Sequence, residues 1–277
     1  MENPNIFDLG LQADLAMATQ SPLTRRQVLK LGAFGLVAFL ASCAPGNASP
    51  TTSSTSSSDT SSDVCVSEIP SETAGPYPAD GSNASNQRLN ALALAGIVRQ
   101  DIRTSLGTGN TAEGIPITIE MTLVNTNDNC APLAGYAVYA WHCNRDGDYS
   151  MYSSATVDED YLRGVQVSDS EGKLRFTSIF PGCYLGRWPH IHFEVYPSLE
   201  KATGAANIVH TSQMALVEDV CKTAYETAGY ETSARNLPQI TLATDNVFSD
   251  GVDQQMATMS GDVTNGYTAS LTVGVAV

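Results

Sequence analysis

Ile115, Ile117, Ile119, Met121 and Leu123 alternate with Pro116, Thr118, Glu120 and Thr122. A side-chain period of two demands an extended strand with one face turned to a core. Residues 135–143, 173–180 and 189–196 read as further strands. Asn265-Gly266 separates two more strand-like runs, residues 255–263 and 267–275. That dipeptide favours a tight hairpin, because both residues tolerate positive φ. Residues 125–129 carry turn chemistry. Residues 217–228 have helical spacing and are the one substantial helix expected, while residues 90–98 suit a short helix or an apolar loop. Many short strands with turns between them predict an all-β sandwich or barrel.

The strands follow a different kind of sequence. Arg25-Arg26 precedes an apolar run, residues 31–42, that ends at Cys43. The run is too short to span a bilayer and suits a signal segment. Residues 24–30 resemble a twin-arginine export signal, and Leu40-Ala41-Ser42-Cys43 resembles a bacterial lipoprotein cleavage box in which Cys43 takes the lipid. The alternative is a buried amphipathic helix. Against it, residues 44–63 are nearly all Ser, Thr, Asn, Asp, Gly and Pro. Such a stretch buries too little apolar surface to offset its ordering entropy. The expected organisation is a signal peptide over 1–43, a disordered tether over 44–64 and a folded domain over 65–277. The expected location is the outer face of a bacterial membrane, reached only through the lipid on Cys43.

Charge and cysteine usage agree with export. The net charge is −15, so nucleic acid, whose phosphates need Lys and Arg, is excluded as a partner. With Cys43 lipidated, Cys65, Cys130, Cys143, Cys183 and Cys221 remain. No close Cys-x-x-Cys pair suggests zinc. An oxidising compartment favours one or two disulfides, and Cys65, at the start of the domain, is the cysteine most in need of tying down.

The chemistry concentrates between Trp141 and Phe193. His190 and His192 stand two apart in a strand, so both imidazoles face one side while Ile191 and Phe193 face the other. Tyr149 and Tyr184 lie near them across glycine turns, and Arg187 precedes His190 by three residues. The ordered set Trp141…Tyr149, Arg163-Gly164-Val165-Gln166…Asp169-Ser170-Glu171-Gly172, Pro181-Gly182-Cys183-Tyr184 and Arg187…His190-Ile191-His192 resembles the signature of the intradiol ring-cleavage dioxygenases, the family of catechol and protocatechuate dioxygenases. The resemblance spans roughly residues 65–277 and is strongest in the central stretch.

The resemblance implies a prealbumin-like β-sandwich of two sheets with few short helices. It implies one iron(III) per chain held by Tyr149, Tyr184, His190 and His192. Phenolates are hard anionic donors that favour the ferric state. It further implies a catechol-type substrate and O2. Tyr184 would leave the metal and take a substrate proton, and Arg187 would stabilise negative charge on the ring. Gln213 would stand behind them. The product would be a muconate-type diacid. Tyr77, Trp141, Tyr152 and Tyr161 are candidates for pocket lining or for core. A homodimer is compatible with this reading. The competing class is a non-catalytic transthyretin-like module that binds ligands at the cell surface. Cys183, directly before Tyr184, has no role that the sequence explains.

Overall fold

Alternation along the first long strand sorts its side chains between two sheets. β1 (Pro116–Asn125) buries Ile117, Ile119, Met121 and Leu123 on one face. It pairs antiparallel with β5 (Lys173–Ile179) and with the two-residue β2 (Ala131–Pro132), and parallel with β9 (Gly266–Val275). β8 (Thr258–Asp262) closes that sheet against β9 through the three-residue turn 263–265, one residue earlier than the expected Asn265-Gly266 turn, with Gly266 at positive φ opening β9. The second sheet runs β4 (Arg163–Val167), β3 (Ala137–Trp141), β6 (His190–Tyr196), β7 (His210–Ala215), with every neighbouring pair antiparallel. The computed structural model describes residues 65–85 and 89–277. The expected signal segment, Cys43 and the tether lie outside the described residues.

The two sheets make a sandwich rather than a barrel. Ile191, Phe193 and Val195 of β6 and Val138 and Ala140 of β3 join the β1 face in one core. Burying each such side chain contributes about 1.5–3 kcal/mol. All seven residues of β6 are buried, because its other face is covered as well. There Trp141, Tyr139, Tyr149, Tyr152 and Tyr196 form a second apolar cluster, with Tyr77 and Tyr184 packed against it. β6 is therefore wedged between the sandwich core and an aromatic layer, and its histidines belong to the aromatic side.

Several elements depart from expectation. Residues 90–98 contain only a 3-10 turn at Ala91–Ala93, capped by the Asn90 side chain. The helix expected over 217–228 is present, shortened, as α1 (Glu218–Tyr225), and a further short one that was not expected follows, α2 (Glu231–Asn236). β2, β4 and β7 lie outside the expected strands. A disulfide joins Cys65 to Cys130, while Cys143, Cys183 and Cys221 are free and buried.

Candidate metal centre

Register places one row of functional side chains straight across the second sheet. Arg163 pairs with Trp141, Trp141 with His192, and His192 with Gln213. Directly paired residues share a face, so all four point away from the sandwich core. His190 lies two residues earlier on β6 and shares that face. The Trp141 ring stacks on His192 at 4.8 Å and 3°, which fixes the plane of the imidazole.

The tyrosines arrive from two loops pressed together. Gly182 N–H donates to the Asn144 carbonyl at 3.0 Å. A Cβ on Gly182 would sit 2.6 Å from the Arg145 carbonyl oxygen, so only glycine allows this approach. The loop after β3 thereby delivers Tyr149, and the Pro181-Gly182 turn delivers Tyr184. Their ring centroids are 5.8 Å apart, and the Tyr184 ring stands 5.8 Å from that of His190. Tyr77 stacks on Tyr149 at 4.8 Å and meets Tyr152 edge-on at 5.3 Å. Tyr161 belongs elsewhere: it packs with Ala112, Leu162 and Ile179 and lines an outer polar cleft of about 260 Å³ with Arg145 and Glu159.

Three donor atoms converge. His190 Nε2 lies 3.0 Å from His192 Nε2 and 3.4 Å from the Tyr149 hydroxyl. His190 Nδ1 faces the Trp188 carbonyl at 2.5 Å, so Nδ1 carries the proton and Nε2 offers a lone pair. Two ligands at right angles, each about 2.1 Å from a metal ion, stand about 3.0 Å apart. The spacing is thus that of neighbouring ligands on one ion. Among the described residues no group of three or more His, Cys, Asp or Glu side chains is arranged to hold a metal. The converging donors are instead imidazole and phenol, a set suited to a hard trivalent ion.

Electrostatics keep the histidines ready. Burial, and then the positive charge of Arg187, push His190 down to about 3. Burial, and then His190, push His192 well below the usual imidazole range. Both rings are neutral at physiological pH, the form that ligates.

Arg187 is fully buried beside them. Its Nε donates to Asp245 Oδ2 at 2.9 Å and its Nη2 to Gln213 Oε1 at 2.6 Å. Gln213 Nε2 in turn donates to the Thr73 carbonyl at 2.9 Å. Arg163 braces the opposite end of the row, donating to Ser150, Tyr139 and the carbonyls of Tyr77, Pro78 and Ser150. Sequence reasoning missed Asp245. An isolated Asp in a polar run signals a turn, and nothing local shows that it pairs through space. The bracing role of Arg163 was also missed, although its Arg-Gly-x-Gln motif was the available signal.

Comparison with known proteins finds similarity in sequence and in fold. A family model described as Dioxygenase matches residues 93–203, which include all four candidate ligands. Chlorocatechol 1,2-dioxygenase from Rhodococcus opacus is 34% identical over a stretch covering 23% of this chain and 32% of that protein. The chain thus spans about a third of the length of that curated relative. An intradiol ring-cleavage dioxygenase from Tetranychus urticae aligns with a TM-score of 0.54 at 22% identity, over 67% of this chain and 91% of that one. A second dioxygenase crystal structure aligns at 0.53 and 22%, over 67% and 90%. At that identity these two structures establish a common fold.

Proposed function

The chain belongs to the intradiol ring-cleavage dioxygenases, and on that premise we propose that it is an iron(III) enzyme opening the ring of catechol-type substrates with O2. The observation that carries the proposal is the approach of His192 Nε2 and the Tyr149 hydroxyl to His190 Nε2, at 3.0 and 3.4 Å. Members of the family generally use ferric iron. Tyr149, Tyr184, His190 and His192 are the residues that would hold it. An ion held there would supply Lewis acidity that favours the ionised catechol and an electron-rich ring.

The chain's own groups do the rest. Tyr184 is half-buried, whereas Tyr149, His190 and His192 are buried. Tyr184 is thus the ligand with room to move, and its phenol oxygen is the base for a catechol proton. Arg187 sets a fixed positive charge near the ring, where negative charge develops during oxygen attack. Trp141 and Tyr77 flank His192 and Tyr149 and exclude water from them. The bond between the two hydroxylated carbons breaks, giving a muconate-type diacid. The location proposed is extracytoplasmic, on a lipid at Cys43. The Cys65–Cys130 disulfide supports an oxidising compartment.

Oxygen uptake against a panel of catechols tests the proposal. The expected result is one O2 consumed per ring opened, with a muconate-type product spectrum. Binding of catechols without oxygen uptake by the iron-loaded protein would identify a non-catalytic binding module instead.

A further inference from the structure

The segment after α2 supplies a carboxylate to the centre. Arg187 is wholly buried, and a buried cation is costly unless it is paired and hydrogen-bonded. Asp245, equally buried, is its partner. Asp245 Oδ2 accepts from Arg187 Nε at 2.9 Å and from the Trp188 backbone N–H at 2.7 Å. Asp245 Oδ1 accepts from the backbone N–H groups of Val247 and Phe248 at 2.8 and 3.1 Å. Both oxygens are engaged by N–H donors alone. An amide here would set its NH2 against two donors, so the site specifies a carboxylate and not merely a polar group.

The same turn carries Phe248. The Arg187 guanidinium lies 6.0 Å from the Phe248 ring centroid, and the His190 ring lies 6.4 Å from it. From the other side, Gln213 Oε1 accepts from Arg187 Nη2. A guanidinium is planar, so two anchored nitrogens fix both its plane and its direction.

We propose that Asp245 is a positioning residue for ring opening: it aims the Arg187 guanidinium at the side of the centre where the substrate ring binds. The inference rests on the reading of Arg187 given under Proposed function. Asp245 touches no substrate and acts only through Arg187. The competing explanation is that Asp245 merely ties its own turn to the Arg187-Trp188 segment. The two explanations separate in a double-mutant cycle.

The cycle uses the iron-loaded full chain as wild type, Asp245→Asn, Arg187→Met and the pair. Asp245→Asn is expected to lower kcat about 10²-fold, with KM for catechol changed less than about 3-fold. On the Arg187→Met background the same change is expected to cost no more than about 2-fold. Losses that multiply overturn the proposal. A second readout is independent of turnover: the Arg187 Nε–H NMR signal should be protected from exchange in wild type and exchange faster in Asp245→Asn. An unchanged signal overturns the proposal. If Asp245→Asn does not fold, Asp245→Glu keeps the charge and displaces the carboxylate by one methylene. A lowered kcat at unchanged KM in that variant supports the proposal, and a wild-type kcat overturns it. A wild type without oxygen uptake overturns the proposed function as well, whereas a wild type with uptake and multiplying losses overturns this inference alone.

Discussion

His142 stands one residue beyond the row that holds the candidate ligands, yet it has a structural duty. Its Nδ1 lies 2.7 Å from the Cys143 carbonyl and its Nε2 2.7 Å from Ser178 Oγ. Burial pushes it down to about 4, from the usual imidazole value of 6.5. The folded state therefore binds its proton more weakly than the unfolded chain does. Stability from this residue is complete above pH 6.5 and is lost as the pH falls towards 4. The loss amounts to about 3 kcal/mol in all. Denaturant titrations at pH 7 and pH 5 should show a shallower acid loss in His142→Gln than in wild type. Cys183 also becomes intelligible at this scale. Its backbone N–H donates to Ser233 Oγ and its carbonyl accepts from Asn236 Nδ2, each at 2.8 Å, so α2 clamps the turn before Tyr184. Burial pushes its thiol up to about 12, which makes it a packing group rather than a nucleophile. His190 and His192 were legible as a pair because they stand two apart on one strand, whereas Tyr149, 41 positions before His190, and Tyr184 were singled out only through the resemblance of the motifs around them. Asp245 was not, because its partner is 58 positions away.

The strands with clear apolar alternation or apolar runs were legible; β4 and β7, whose sequences carry polar residues or glycine, were not. β7 looks too polar for an interior strand. Its Ser212 and Gln213 donate to the Pro70 and Thr73 carbonyls of the opening segment laid over it. β4 begins with Arg163 and contains Gly164, both poor strand signals. The glycine is needed because a Cβ there would stand 2.4 Å from Ile102 Cγ2. The opening segment, residues 65–80, is bonded to both sheets: Ile69 N–H reaches the Gly274 carbonyl and Glu72 N–H that of Thr211. Its far end is pinned by Arg163, through the carbonyls of Tyr77 and Pro78. Arg163→Met should leave the Tyr77 and Ser150 carbonyls without the Arg163 donor, while the Pro78 carbonyl keeps the Tyr139 hydroxyl, and cost about 3 kcal/mol or more. Guanidinium chloride unfolding would measure the loss. Limited proteolysis should find faster cleavage within residues 70–80, because Tyr77 would no longer be held against Tyr149.

At the scale of the whole molecule, a two-sheet sandwich sets the chemistry on the outer face of one sheet and closes it with the opening segment. The all-β class followed from alternation and turn chemistry. The choice of sandwich over barrel came from the family resemblance instead, since alternation does not say which edges pair. The Cys65–Cys130 bridge closes a loop of 65 residues around β1 and the opening segment. Loop-closure entropy assigns it about 4 kcal/mol. Cys65→Ser together with Cys130→Ser should lose stability of that order in a denaturant titration. The loss should reach the aromatic layer, because the bridge anchors the segment that carries Tyr77.

Two tyrosines and two histidines are proposed to bind ferric iron. The visible absorption spectrum of the iron-loaded protein, taken with its iron content, tests this most directly. One iron per chain is expected, with a burgundy-red colour from tyrosinate-to-iron charge transfer that is altered or bleached in Tyr149→Phe and in Tyr184→Phe. A protein that takes up no iron, or that holds it without a tyrosinate band, would contradict the account.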